Sequence, residues 1–159
     1  MIEPKSMNAL TAPLHQHHKH CDELFADAEL AVAKNDWERA RSLAAGFRTE
    51  LETHFRTEEE VLFPAFEAVT GMVGGPTQMM RREHAQMRDL MDQMAGALGA
   101  GSGDAFAGAA ETLLIFMQQH NMKEENILYP MCDRSLMDQA GTLSATLRER
   151  LESACLKTN

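Results

Sequence analysis

Apolar residues return every three or four positions along most of this chain. Leu14, Cys21, Phe25, Ala28 and Val32 mark one such stripe, and Met80, Met87, Met91, Met94 and Leu98 another. That period places them on one face of an α-helix, and no stretch shows the strict alternation of a strand. Breaks in the pattern fall at Asn35-Asp36, at GMVGGP from Gly71 to Pro76, and at GAGSGD from Gly99 to Asp104, which leaves four long helical segments. Asp36 is expected to cap the second helix and Asp104 the fourth, each offering a carboxylate to free backbone amides, while Pro76 suits the first turn of the third. A shorter fifth helix is expected from about Leu136 to about Leu156. The fold prediction is all-α: an up-down-up-down four-helix bundle with an extra short C-terminal helix. One domain is expected over 1–159, with the bundle over about 10–134 and the C-terminal helix over about 136–156.

The chain also repeats itself. HFRTEEEVLFP, from His54 to Pro64, returns 66 residues later as HNMKEENILYP, from His120 to Pro130. His54 maps to His120, Glu58 to Glu124, Glu59 to Glu125, Leu62 to Leu128 and Pro64 to Pro130. The same offset carries His18 onto His84 and Leu24 onto Leu90, an independent check on its choice. Two helical hairpins of one design follow, over about 11–70 and about 77–134. Each has a lone histidine on its first helix and an HxxxE on its second.

Positions i and i+4 of a helix share a face, so His54 with Glu58 and His120 with Glu124 each present an imidazole beside a carboxylate. His18 and His84 fall within the apolar stripes of their own helices. Four imidazoles and two carboxylates inside an apolar core are costly unless something satisfies them, and two cations would. A lone HxxxE is usually a modest surface pair, and a histidine in an apolar stripe is usually a hydrogen-bonded core residue. Six such residues at repeated positions favour metal ligands: His18, His54, Glu58, His84, His120 and Glu124. A nitrogen and oxygen donor set suits iron, manganese or zinc, and carboxylates placed to bridge two metals favour iron. Structural zinc more often recruits cysteine, and the ExxH of ferritin-like bundles is absent. His15, His17 and His20 read as solvated, or as supporting groups at most. The methionines read as core packing rather than a soft copper site, and Tyr129 is left open, with packing preferred.

Composition narrows the function classes. Fifteen Lys and Arg against 24 Asp and Glu give a formal charge of -9, which repels nucleic acid and anionic membrane surfaces. No basic start followed by an apolar run and no bilayer-length apolar stretch is present, so a soluble cytoplasmic protein is expected. Cys21, Cys132 and Cys155 lie far apart without a CxxC and read as buried free thiols.

The order H, HxxxE, H, HxxxE on successive helices resembles the HHE cation-binding, or hemerythrin-like, domains. His18, His54 with Glu58, His84, and His120 with Glu124 carry the likeness over about 10–134, and LFP and LYP after the HxxxE motifs are similar too. The resemblance implies a four-helix bundle around two non-haem iron ions, oxo or hydroxo bridged, with zinc or manganese as substitutes. It implies Glu58 and Glu124 as bridging carboxylates, histidines as terminal ligands, and dioxygen or a similar small ligand reduced to peroxide as both irons oxidise.

The chain departs from the oxygen carriers of that family at Arg88, where they have the second histidine of an HxxxH. Two histidines per metal remain, and reactivity with peroxide or nitric oxide, or oxygen sensing, becomes as plausible as carriage. Glu125, five after His120, competes with Glu124 as the bridge, and the repeat favours Glu124. A metal-binding, oxygen-binding or sensing protein is expected before an enzyme. A di-iron peroxidase, oxidase or nitric-oxide enzyme and an iron store or structural metal site are the alternatives. The expected associations are a possible homo-oligomer and an unseen signalling partner. No room is expected for the cysteine-bearing domain of the relatives that repair iron-sulfur clusters, nor for an attached signalling or ubiquitin-ligase module.

Overall fold

The computed structural model describes residues 9–158, with side chains to residue 153, so the Cys155 thiol lies outside the described residues. Helix α1 runs Ala12–Ala33. Helix α2, Trp37–Thr57, passes through a π turn at Glu58–Leu62 straight into α3, Phe63–Thr70. Helix α4 covers Pro76–Ala100. Helix α5, Gly103–Lys123, repeats the device with a π turn at Glu124–Leu128 and α6, Tyr129–Ser135. A 3-10 turn at Met137–Gln139 leads into α7, Ala140–Thr158. No strand occurs among the described residues, and the fold is the expected all-α bundle of four rods with a further C-terminal helix. The 66-residue repeat shows in the structure, since α2 with its π turn and α5 with its π turn match in length and register.

Sequence chemistry sets the ends of the rods. Asp36 caps α2, accepting from the Arg39 amide at 3.3 Å, and Pro76 opens α4. Helix α5 corrects the expectation for Asp104. Ser102, in extended conformation, is its cap and accepts from the Ala105 amide at 3.2 Å. Asp104 stands two residues past the cap, inside the first turn, where its charge still favours the positive helix end. Gly71 and Gly101 end their helices at φ of +73° and +67°, a left-handed turn that side chains resist. The C-terminal helix begins at Ala140 rather than near Leu136, whose backbone (φ -112°) closes α6 first.

Two apolar clusters fill the bundle and leave a polar layer between them. The first holds Phe25, Phe47, Phe55, Met87, Met91, Met94 and Met117, which confirms the methionine stripe as core. The second holds Leu14, Leu62, Phe63, Met80, Leu128, Tyr129 and Cys132, with Leu147 and Leu151 of α7 sealing it. Along α1, Leu14 belongs to the second cluster and Cys21 to the first, with His17 and His18 between. Along α4, Met80 and Met87 straddle His84 in the same way. Helical periodicity therefore inserts each histidine at one level of the bundle. Cys21 and Cys132 are buried, as expected. No helix among the described residues is long and apolar enough to cross a membrane.

Candidate metal centre

The four rods bring all six predicted residues to that level. His18, His54, Glu58, His84, His120 and Glu124 are each at most 4% exposed. Their donor atoms form two groups, each closing within 4.8 Å. One is His18, His54 and Glu124, and the other Glu58, His84, His120 and Glu124, so Glu124 belongs to both. Its Oε1 lies 3.2 Å from His18 Nε2 and 3.3 Å from His120 Nε2. Glu58 Oε1 lies 3.2 Å from His84 Nε2 and 3.6 Å from His54 Nε2. Each glutamate thus stands between a histidine of one hairpin and a histidine of the other.

Four atoms at this centre are buried with no hydrogen-bond partner among the described residues: Glu58 Oε1, His84 Nε2, His120 Nε2 and Glu124 Oε2. Native interiors satisfy nearly all such groups, because each orphan costs about 1–3 kcal/mol. Convergent lone pairs of nitrogen and carboxylate oxygen are what a divalent or trivalent cation satisfies. The donor set therefore fits a metal, and the cluster is able to hold one.

The π turns aim these side chains, and the sequence reading missed them. Pro64 and Pro130 enter the rods just beyond each HxxxE, and a proline in a running helix removes an amide donor and crowds the carbonyl four residues back. The backbone widens one turn instead: the Phe63 amide bonds Glu58 O, and the Tyr129 amide bonds Glu124 O, each five residues back. In a regular helix the fifth residue points about 140° away; the wider turn returns it to the centre's face. Phe63 then stacks on His84, with centroids 5.9 Å apart and planes at 20°, while Phe55 stacks on the same ring at 4.0 Å and 15°. Tyr129, for which packing was preferred, is fully buried but does more than pack. Its hydroxyl donates to Glu58 Oε2 at 2.7 Å and lies 3.4 Å from both His18 Nε2 and His54 Nε2. The repeat thus places a phenol at the His18 and His54 end and a bare phenyl ring at the His84 and His120 end.

Around the six, outer groups hold the imidazoles by their far nitrogens. His18 Nδ1 donates to Glu125 at 2.9 Å, His84 Nδ1 to Glu59 at 2.8 Å, and His120 Nδ1 to Glu83 at 2.8 Å. Glu125, the rival bridge, thus supports His18 from outside, while Glu124 faces inward. Arg88 explains what replaced the carriers' extra histidine. Its guanidinium forks onto Glu52 and Glu59, with bonds of 2.9 to 3.2 Å, and so braces the carboxylate behind His84. Lys123 pairs with Glu83 behind His120.

His17 takes the second of the two places read for HQHHKH, that of a supporting group and not a solvated one. It is buried, stacked on His54, with Nδ1 2.9 Å from His54 Nδ1 and Nε2 2.8 Å from Glu50 Oε2. His15 and His20 keep partial exposure, as expected, His15 resting edge-on against the Tyr129 ring and His20 lying 3.7 Å from Glu50. The sequence held a signal for His17, since the 66-residue offset pairs it with Glu83, the group behind His120.

Burial and crowding set the proton positions. Burial alone would lower His18, but bonds to Glu124 and Glu125 lift it to about 10; likewise Glu58 and Glu59 overcome burial and lift His84 to about 9. Burial and then the Glu124 charge raise Glu58 to about 8. Glu124 resists burial because His120, Glu58 and His18 surround it, and it stays well below the usual carboxylate range. Burial, with His18 and His17 nearby, holds His54 well below the ordinary imidazole value. Tyr129 is pushed far up by burial and by Glu124 and Glu58, so it keeps its proton and donates.

Residues 9–132 match the family model described as the hemerythrin HHE cation-binding domain. Comparison with curated proteins and with solved structures gives no match. The match spans the four rods and every residue of the buried cluster, so the chain belongs to the hemerythrin HHE cation-binding domain family.

Proposed function

We propose that this protein binds or senses dioxygen, or a similarly small ligand, at a carboxylate-bridged di-iron centre. His18 and His54 hold one iron, His84 and His120 the other, and Glu58 and Glu124 lie between them. The observation that carries this reading is the pair of buried donor groups sharing Glu124, with four orphaned atoms and no sulfur. Iron supplies the redox chemistry and exchangeable coordination positions that a diatomic ligand needs.

The chain's own residues shape the rest. Full burial of all six side chains admits only small ligands without local opening. The Phe55 and Phe63 rings dry the His84 side, and Tyr129 fixes Glu58 by its Oε2. Freshly purified protein is expected to carry about two irons per chain and to show a visible absorption band that changes on exposure to air and vanishes in His54→Ala. A colourless, metal-free protein of full stability would sink the reading.

Tyr129 favours a second reading, an enzyme that reduces peroxide or a related oxidant, because its hydroxyl is a proton donor within the cluster. Steady-state peroxide turnover by the iron-loaded protein, lowered in Tyr129→Phe, is the expected result for an enzyme; a carrier or sensor gives little turnover in either form.

A further inference from the structure

Glu50 is a carboxylate with no exposed surface, on α2, outside the six candidate ligands and not part of any motif the sequence reading singled out. Its Oε2 accepts from His17 Nε2 at 2.8 Å, and His17 Nδ1 faces His54 Nδ1 at 2.9 Å. The three side chains form one line from a buried carboxylate to a candidate metal ligand. We propose that Glu50, acting through His17, is a positioning residue that fixes His54 in the tautomer able to bind metal. The proposal rests on His54 holding a metal, whichever metal that is.

Proton bookkeeping makes the assignment unique. His54 faces the centre through Nε2, which must be bare to bind a cation, so its proton sits on Nδ1. That N–H needs an acceptor, and the atom 2.9 Å away is His17 Nδ1, which accepts only if it carries no proton. His17 then keeps its single proton on Nε2, where Glu50 receives it. Cys21 Sγ, 3.7 Å from the same Nδ1, is a weak donor and leaves that nitrogen an acceptor. Reversing the first bond leaves a bare His17 Nε2 facing the Glu50 carboxylate, and reversing the second leaves two N–H groups face to face.

The repeat isolates what is particular to this end. At the offset of 66, His17 corresponds to Glu83 and Glu50 to Phe116. His120 therefore meets a carboxylate directly, whereas His54 meets one through an intervening imidazole. A neutral ring, not an anion, touches the His54 N–H, so the two ends of the centre give their histidines unequal basicity.

Zinc-loaded protein tests this, because zinc is diamagnetic and needs no redox activity. With nitrogen-15 histidine labelling, long-range proton-nitrogen NMR is expected to show His54 with its proton on Nδ1 and metal on Nε2, and His17 with its proton on Nε2 alone. A proton on His17 Nδ1 would overturn the proposal. Titration with zinc against a chromophoric chelator adds a second reading. Glu50→Leu is expected to weaken one of the two zinc sites about 10- to 100-fold, with Glu50→Gln, which keeps an acceptor, recovering most of it. Equal weakening of both sites without recovery, or no weakening, would also overturn it. If Glu50→Leu fails to fold, the tautomer spectrum of the unaltered protein decides alone. Failure of the unaltered chain to bind zinc or iron sinks the metal-centre reading instead, and with it this one; two bound metals with no response to oxygen sink only the dioxygen reading.

Discussion

Loading the centre with a divalent cation must expel protons, and the structure says how many. In the metal-free protein His18, His84 and Glu58 are raised to about 10, about 9 and about 8, so all three are protonated at pH 7. His54 and Glu124 are held well below their ordinary values and are already bare. His120 is raised as well, by the Glu124 charge against burial, and metal binding needs all of these groups deprotonated, so at least three protons should leave per chain as the centre fills. Isothermal titration with zinc in buffers of different ionisation enthalpy reads this number as a slope. It should be three or more at pH 7 and fall toward zero above about pH 10. The affinity should follow: stripping groups with these values makes binding stronger by about two to three orders of magnitude between pH 7 and pH 8. The sign for the bare fold runs the other way. Groups with raised folded values stabilise it most at pH below their unfolded values, and that contribution is lost as pH rises through about 8 to 10. Metal-free protein should therefore lose melting temperature over that range while zinc-loaded protein does not. A slope of zero at pH 7, or proton uptake, would refute the reasoning, for it would mean that the carboxylates and imidazoles do not share protons inside the core.

Arg88→Ala should keep the bundle but release Glu59 from its fork, costing about 1–3 kcal/mol in urea unfolding and weakening metal binding at the His84 end about 10- to 100-fold in chelator competition; unchanged affinity would show that Glu59 needs no brace. Ser102→Ala should cost about 0.5–2 kcal/mol as a lost helix cap, whereas Asp104→Ala should cost only about 0.3–1 kcal/mol through the helix dipole; equal losses in thermal unfolding would contradict the cap assignment.

Local pattern accounts for the parts of this protein that were readable in advance. Helical periodicity fixed the rods and placed His18 and His84 in core stripes, because a helix presents every third or fourth residue to one face whatever surrounds it. The i, i+4 spacing of His54 with Glu58 and His120 with Glu124, doubled by the repeat, put both pairs at one level of the bundle. Tertiary structure decided the rest. Assembly of the rods gave the turns widened at the two prolines their use, setting Tyr129 on the centre and Phe63 at the other end. Contacts between residues far apart in sequence made Glu125 a support for His18, drew Arg88 toward Glu52 and Glu59, and buried His17 between His54 and Glu50. A sequence specifies which face of its own helix a side chain takes; whether the space beyond that face holds water, a carboxylate or another imidazole is settled only when the rods meet.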